Sequence, residues 1–194
     1  MTWRQIVDRS HGHIEQLAPT FRDRVGKWYA ELLAKRIPVL VYCSVRTPAE
    51  QDELYAQGRT KKGTKVTNAR GTPVAQSFHC YGRAIDAVPC SLSSTGQGYV
   101  TSWDDAKGYQ LMRNCAEKYQ MRWLSWETPH FEDANFKDWR ELAASESVGT
   151  KVAEKNRQAM QAQNTRVSDG SKKQVGKSSS LAPSTSRKVG LRRP

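Results

Sequence analysis

All 17 aromatic residues of this chain, six Trp, seven Tyr and four Phe, lie before position 140. A segment without large apolar side chains cannot offset the entropy lost when its backbone is ordered. A core can therefore form only within residues 1–150, a length that suits one ordinary domain. Charge divides at the same place. Residues 1–150 hold 20 Lys and Arg against 17 Asp and Glu, so this part is near neutral at +3. Residues 151–194 hold 11 against 2, which is +9 of the total +12. The mean hydropathy of −0.75 averages these two unlike parts.

Residues 151–194 are rich in Ser, Lys and Arg and read as a largely disordered basic tail, with 152–163 able to extend a helix. Such a charge either keeps the protein soluble or draws it to a polyanion: a nucleic acid, an anionic membrane or an acidic envelope polymer. Without aromatic residues to stack on bases, specific nucleic-acid recognition has no support in the tail. No apolar run reaches the ~18 residues of a membrane helix. The first eight residues, Met-Thr-Trp-Arg-Gln-Ile-Val-Asp, lack the apolar stretch of a Sec signal peptide.

Within 1–150 the first clear periodicity runs from Pro19 to Arg36. Phe21, Val25, Trp28, Leu32 and Leu33 share one helical face. Pro38 ends that helix, and residues 39–44 (Val-Leu-Val-Tyr-Cys-Ser) form an apolar run of strand length. Thr47-Pro-Ala-Glu50 is a capping box with Pro at the first helical position, opening a helix that stops at Gly58. Residues 59–76 read as a polar, Gly- and Lys-rich loop long enough to carry function. Arg83 to Val88 alternates as a second strand, and 91–101 reads as a loop. A helix over Asp104–Gln120, a third strand over Met121–Ser125 and a terminal helix over Asn135–Ser147 complete the domain. Strands and helices mix without regular βαβ alternation, which predicts an α+β fold.

Two clusters carry chemistry. One is Ser77-Phe-His-Cys-Tyr-Gly-Arg-Ala-Ile-Asp86; the other is Trp126-Glu-Thr-Pro-His-Phe-Glu132. A catalytic zinc site takes three protein ligands from His, Asp and Glu and keeps a fourth position open. His79, Asp86 and His130 would supply that set, with Gly82 turning the chain between the first two and Pro129 fixing the backbone before the third. Glu127 could take a proton from water beside the metal. Residue chemistry alone leaves this site open against a structural histidine and a turn-capping aspartate, because spacing does not establish convergence in space.

Both clusters resemble the motifs of the VanY-type zinc peptidases, D-alanyl-D-alanine carboxypeptidases and L-alanyl-D-glutamate endopeptidases of peptidoglycan that include several phage endolysins. The resemblance runs from about Leu17 to Glu132. It takes in residues 44–59 (Ser-Val-Arg-Thr-Pro-Ala-Glu-Gln-Asp-Glu-Leu-Tyr-Ala-Gln-Gly-Arg) and Val66-Thr-Asn68. It implies a small antiparallel sheet flanked by helices, of the hedgehog/DD-peptidase type. It also implies one Zn2+ on His79, Asp86 and His130, with Glu127 as general base and Arg46 holding a substrate carbonyl or carboxylate. Ser77 and Trp126 are the further expected substrate contacts. The chain departs from the family in two ways. Only Leu124 to Thr128 separates Trp123 from Pro129, where family members often carry a longer stretch, so one wall of the cleft should be shorter. Position 127 is Asp in many relatives, and Glu would need a slightly different backbone position to do the same work.

The remaining candidates have plainer readings. His11 and His13 lack neighbouring acids or thiols and read as solvated. Cys43, Cys80, Cys90 and Cys115 form no CxxC pair, and they read as free, partly buried thiols rather than a zinc knuckle. Trp123 and Trp126 either line the cleft or pack in the core.

These readings together predict a monomeric, zinc-dependent peptidoglycan peptidase with the endolysin-like activity of an L-alanyl-D-glutamate endopeptidase. The predicted domain is 1–150 and the tail 151–194. Such a protein would be made in the host cytoplasm and act on the wall after release, with a holin as the partner for export. The alternatives are a D-alanyl-D-alanine carboxypeptidase on the same scaffold and a non-catalytic zinc-binding module that tethers to the wall. A basic nucleic-acid-binding protein is a third alternative, resting on the tail alone.

Overall fold

The computed structural model describes residues 1–147; the predicted tail lies outside the described residues. Four strands form an antiparallel sheet in the order β1 (Val39–Cys43), β2 (Ala84–Leu92), β5 (Glu127–Asp133), β4 (Met121–Leu124). A short β3 (Tyr99–Thr101) pairs with the far end of β2. The helices are α1 (Trp3–Ile14), α2 (Pro19–Ala34), α3 (Pro48–Ala56) and α4 (Ala106–Lys118), with residues 139–147 also helical. The fold is α+β, as the mixed order of elements predicts. No helix among the described residues is long and apolar enough to cross a membrane.

The predicted elements appear at or near their expected places. α2 buries Phe21, Val25, Trp28 and Leu32, with Tyr29 rather than Leu33 as the fifth buried residue. The capping box at Thr47 forms as expected: Glu50 N donates to Thr47 Oγ1 at 3.2 Å and Thr47 N donates to Glu50 Oε2 at 2.7 Å. The segment read as a loop over 91–101 is instead a hairpin, since β2 continues to Leu92 and β3 turns back along it. The turn chemistry, Ser-Ser-Thr-Gly-Gln-Gly, hides a strand of only three residues.

α1 is an element that periodicity did not reveal. Thr2 and Gln5 form a capping box at its start, but its buried stripe is Ile6, Ser10 and Ile14, with a polar residue in the middle. Ser10 is there for the sheet. Its Oγ accepts from Val41 N at 3.0 Å and reaches Val39 O at 3.5 Å, while the Tyr29 hydroxyl donates to the same carbonyl. β1 is an edge strand, and these contacts satisfy backbone groups that would otherwise be buried without partners. Ser10→Ala should cost about 1–3 kcal/mol, because it orphans the buried Val41 N–H. Urea unfolding of the variant would check this, and an unchanged midpoint would contradict it.

The core lies between the sheet and the helices. Trp28 sits against Phe131 with ring centroids 5.5 Å apart, and its indole N–H donates to Met112 O at 3.1 Å. The helix therefore packs on β5 at the residue next to His130. Asp133 is fully buried and paired with Arg24 and Arg83, which ties the end of β5 to α2 and β2. The outcome is a rigid frame around one end of the two central strands.

Candidate metal centre

Sheet register brings the two sequence clusters together. Asp86 of β2 is the direct antiparallel partner of His130 of β5, so both side chains leave the same face of the sheet. On the other side of β2, β1 carries a bulge that sets both Tyr42 and Cys43 against Asp86. His79 comes from a separate element, a 3₁₀ turn over Phe78–Tyr81. That turn ends at Gly82, whose φ of 62° is the left-handed conformation glycine favours. A Cβ at Gly82 would also meet Ala18 N at 2.9 Å. The glycine thus does what its place between His79 and Asp86 suggests.

Three donor atoms converge. His79 Nε2 lies 3.2 Å from Asp86 Oδ1 and 3.3 Å from His130 Nδ1, and His130 Nδ1 lies 3.2 Å from the same Asp86 oxygen. A tetrahedral ion with bonds of about 2.0–2.1 Å has ligand–ligand edges of about 3.3–3.4 Å. The observed triangle matches one face of such a tetrahedron. Its chemistry matches too: two imidazoles and a carboxylate suit a divalent ion of the zinc type.

The surroundings fix each donor. His79 Nδ1 donates to Ser44 O at 2.5 Å, which leaves the Nε2 lone pair pointing at the cluster. His130 Nε2 donates to Glu132 Oε2 at 3.0 Å, which frees Nδ1 in the same way. Glu132 is held in turn by Arg122 at 2.6 Å. Outer partners of this kind orient metal-binding histidines and raise their basicity. When a proton rather than an ion occupies these nitrogens, both rings donate to Asp86. Burial pulls the pKa of His130 down, but hydrogen bonds of the protonated ring to Asp86 and Glu132 outweigh it and lift it to about 9. Burial pushes Asp86 up, and hydrogen bonds from protonated His130 and His79 more than reverse that, holding it well below the ordinary carboxylate range. Glu132→Gln should lower metal affinity by about 10–100-fold while the fold survives. Competition titration with a chelating dye would measure this; an unchanged affinity would remove Glu132 from the site.

Arg46 behaves differently from the simple expectation of a substrate clamp. Its Nη2 lies 3.3 Å from Asp86 Oδ2, and its Nη1 donates to Gln51 Oε1 at 2.8 Å. The guanidinium thus faces the cleft while holding the second oxygen of the carboxylate. Gln51 is fully buried and donates onward to Ala69 O at 3.0 Å and Thr67 Oγ1 at 3.4 Å. No role for Gln51 is legible in the sequence. It joins the carboxylate to the cleft wall, a connection visible only once α3 and the loop are folded together.

The cleft has a volume of about 430 Å3 and is lined by the triad, Arg46, Ser77 and Glu127, among others. The loop over 59–76, read as polar and functional, forms one wall with Val66, Thr67 and Ala69. It is pinned by Arg59, which donates to Thr67 O at 2.9 Å, and by Asp52, which accepts from Gly71 N at 2.7 Å. A Cβ at Gly71 would collide with Pro48 O at 1.7 Å, so only glycine lets the loop pass this close to α3.

Glu127 is exposed at the mouth, with a carboxylate oxygen within 4.8 Å of donor atoms of Asp86 and His130. The short connection noted in the sequence is a tight hairpin: Leu124 pairs with Glu127, leaving only Ser125 and Trp126 in the turn. Beyond it Trp123 pairs with Phe131, so residues 128–130 of β5 bulge between these two pairs. That bulge is how a glutamate and a histidine three residues apart both reach the cleft. Trp126 stands 79% exposed at the tip of the turn, outside the core and outside the residues lining the cleft. Trp123 is partly buried and packs against the core beneath Arg113. The four cysteines are free, and Cys43 offers its sulfur within 4.8 Å of donor atoms of His79 and Asp86. Its place depends on strand register, which the sequence does not display.

No family model matches the chain. A curated relative, the peptidoglycan L-alanyl-D-glutamate endopeptidase CwlK of Bacillus subtilis (strain 168), is 46% identical over 70 residues, or 36% of this chain. The chain spans about 40% of the length of that relative. Among solved structures, the L-Ala D-Glu endopeptidase ChiX of Serratia marcescens aligns with a TM-score of 0.44 and 18% identity, covering 64% of this chain and 85% of that one. The L,D-carboxypeptidase DacB of Streptococcus pneumoniae aligns with a TM-score of 0.44 and 22% identity, covering 66% and 72%.

Proposed function

We propose that this protein is a zinc-dependent peptidoglycan peptidase that hydrolyses the L-alanyl-D-glutamate bond of the stem peptide. The observation that carries the reading is the triangle of donor atoms from His79, Asp86 and His130, with the Glu127 carboxylate at its open side. The stretch of 46% identity with an endopeptidase of that specificity supports the same conclusion. The donor set fits zinc, held by those three residues. When bound, zinc supplies Lewis acidity: it polarises a carbonyl and acidifies water towards a pKa of about 7.

The chain's own residues supply the rest. Glu127 takes a proton from the attacking water as the water oxygen bonds to the alanyl carbonyl carbon. The same carboxyl then delivers that proton to the glutamyl nitrogen as the C–N bond breaks. Arg46, fixed by Gln51 and Asp86, presents its remaining N–H groups to the carbonyl oxygen as charge builds there. The triad is buried while Glu127 is exposed, so the metal side is rigid and the proton-transfer side is open to substrate.

The stretch shared with a relative named as an L-alanyl-D-glutamate endopeptidase favours that bond over the D-alanyl-D-alanine bond of a carboxypeptidase. An exposed base beside the triad also argues against a purely tethering module, which has no use for one. On this reading the protein acts on the wall after leaving the cytoplasm, with a holin as its route.

Digestion of purified peptidoglycan followed by mass analysis of the fragments tests the proposal. New N-terminal D-glutamate, or its amide, is the expected product. Release of D-alanine alone would overturn the endopeptidase reading in favour of a carboxypeptidase.

A further inference from the structure

Trp103 is 53% exposed in a domain that buries Trp28 completely. An open indole offers a broad apolar face with a polar edge, which suits contact with a ligand that is itself part apolar and part wet. Trp103 reaches the cleft through Tyr42, one of its lining residues. Its ring meets Tyr42 edge to face, with centroids 5.4 Å apart and planes at 67°. Tyr42 lines the cleft, because the β1 bulge sets both it and Cys43 against Asp86. Two rings therefore lead outward from the donor triad, first Tyr42 and then the more exposed Trp103. The wall formed by Val66, Thr67 and Ala69 offers no ring.

We propose that Tyr42 and Trp103 form a sugar subsite, which takes the hexopyranose that carries the stem peptide with its C–H face against Trp103. This inference rests on the peptidase reading above. In that substrate the alanine before the scissile bond is joined through a lactyl group to the muramic sugar. One extended residue spans at most about 3.6 Å, so the sugar must lie beside the cleft when the alanyl carbonyl sits at the triad. A pyranose has an apolar C–H face and a rim of hydroxyl groups. A half-exposed indole suits both, since the ring covers the face and leaves the rim in water. Tyr42 holds the indole in place at little entropic cost, because aromatic side chains have few torsions to freeze.

The test compares two soluble substrates with the same stem peptide, one bearing N-acetylmuramic acid and one with a free N-terminus. Full-length wild type, Trp103→Ala and Trp103→Phe are assayed on both. Trp103→Ala should raise KM about tenfold on the sugar-bearing substrate, the scale of one aromatic stack, and change the free peptide less than twofold. Trp103→Phe should restore most of the difference. An unchanged KM on the sugar-bearing substrate would overturn the subsite. An equal loss on both substrates would overturn it as well, by assigning the ring to the peptide or the fold. Wild type that cleaves neither substrate would sink the peptidase reading, and the subsite with it.

Discussion

His130→Ala should abolish stoichiometric metal binding and, with it, hydrolysis. The substitution removes one corner of the donor triangle and leaves the buried carboxylates of Asp86 and Glu132 facing each other without the imidazole between them. The loss of affinity should exceed the ~10–100-fold typical of an outer-shell change, because a bonding atom itself is gone. Metal analysis after dialysis would read the stoichiometry directly, and circular dichroism would confirm that the sheet survives. A folded variant that kept one metal per chain would show that His130 is not a ligand.

Glu127→Gln separates the base from the ligands. Glutamine keeps the shape of the side chain but cannot accept the proton, so kcat should fall by ~10²–10⁴. That corresponds to about 3–5 kcal/mol of lost transition-state stabilisation. Because Glu127 is exposed and lies outside the triad, metal content and unfolding midpoint should match wild type. A parallel loss of metal and activity would make Glu127 a ligand. The base would then have to be sought elsewhere, and Glu132 is already committed to His130 and Arg122.

The residues of this site were readable from sequence because each stands in a short motif tied to a local turn or strand. His79 and Asp86 flank a glycine that must adopt positive φ, and His130 follows a proline within a strand bulge. Their convergence was not readable, since it depends on Asp86 and His130 being paired across β2 and β5. The same register set Cys43 beside Asp86, which nothing in residues 39–44 discloses. α1 is hidden in the sequence for a related reason. Ser10 interrupts its apolar stripe because the side chain serves the edge of β1, and a helix face that satisfies backbone groups does not look hydrophobic. Gln51 sat in plain view within a motif, yet its work of linking Arg46 to Thr67 and Ala69 needs the loop folded back on α3. Trp126 is the opposite case. Its chemistry suggested cleft or core, but a two-residue turn between β4 and β5 sends it outward.

His79, Asp86 and His130 are proposed to hold one zinc and to leave a position open beside Glu127. X-ray absorption at the zinc edge, on protein loaded with one equivalent, tests this inner shell. The predicted inner shell contains only nitrogen and oxygen at about 2.0–2.1 Å, with the outer scattering of two imidazoles. A sulfur neighbour at about 2.3 Å would place Cys43 on the metal, closing the position the mechanism needs and refuting the three-ligand site.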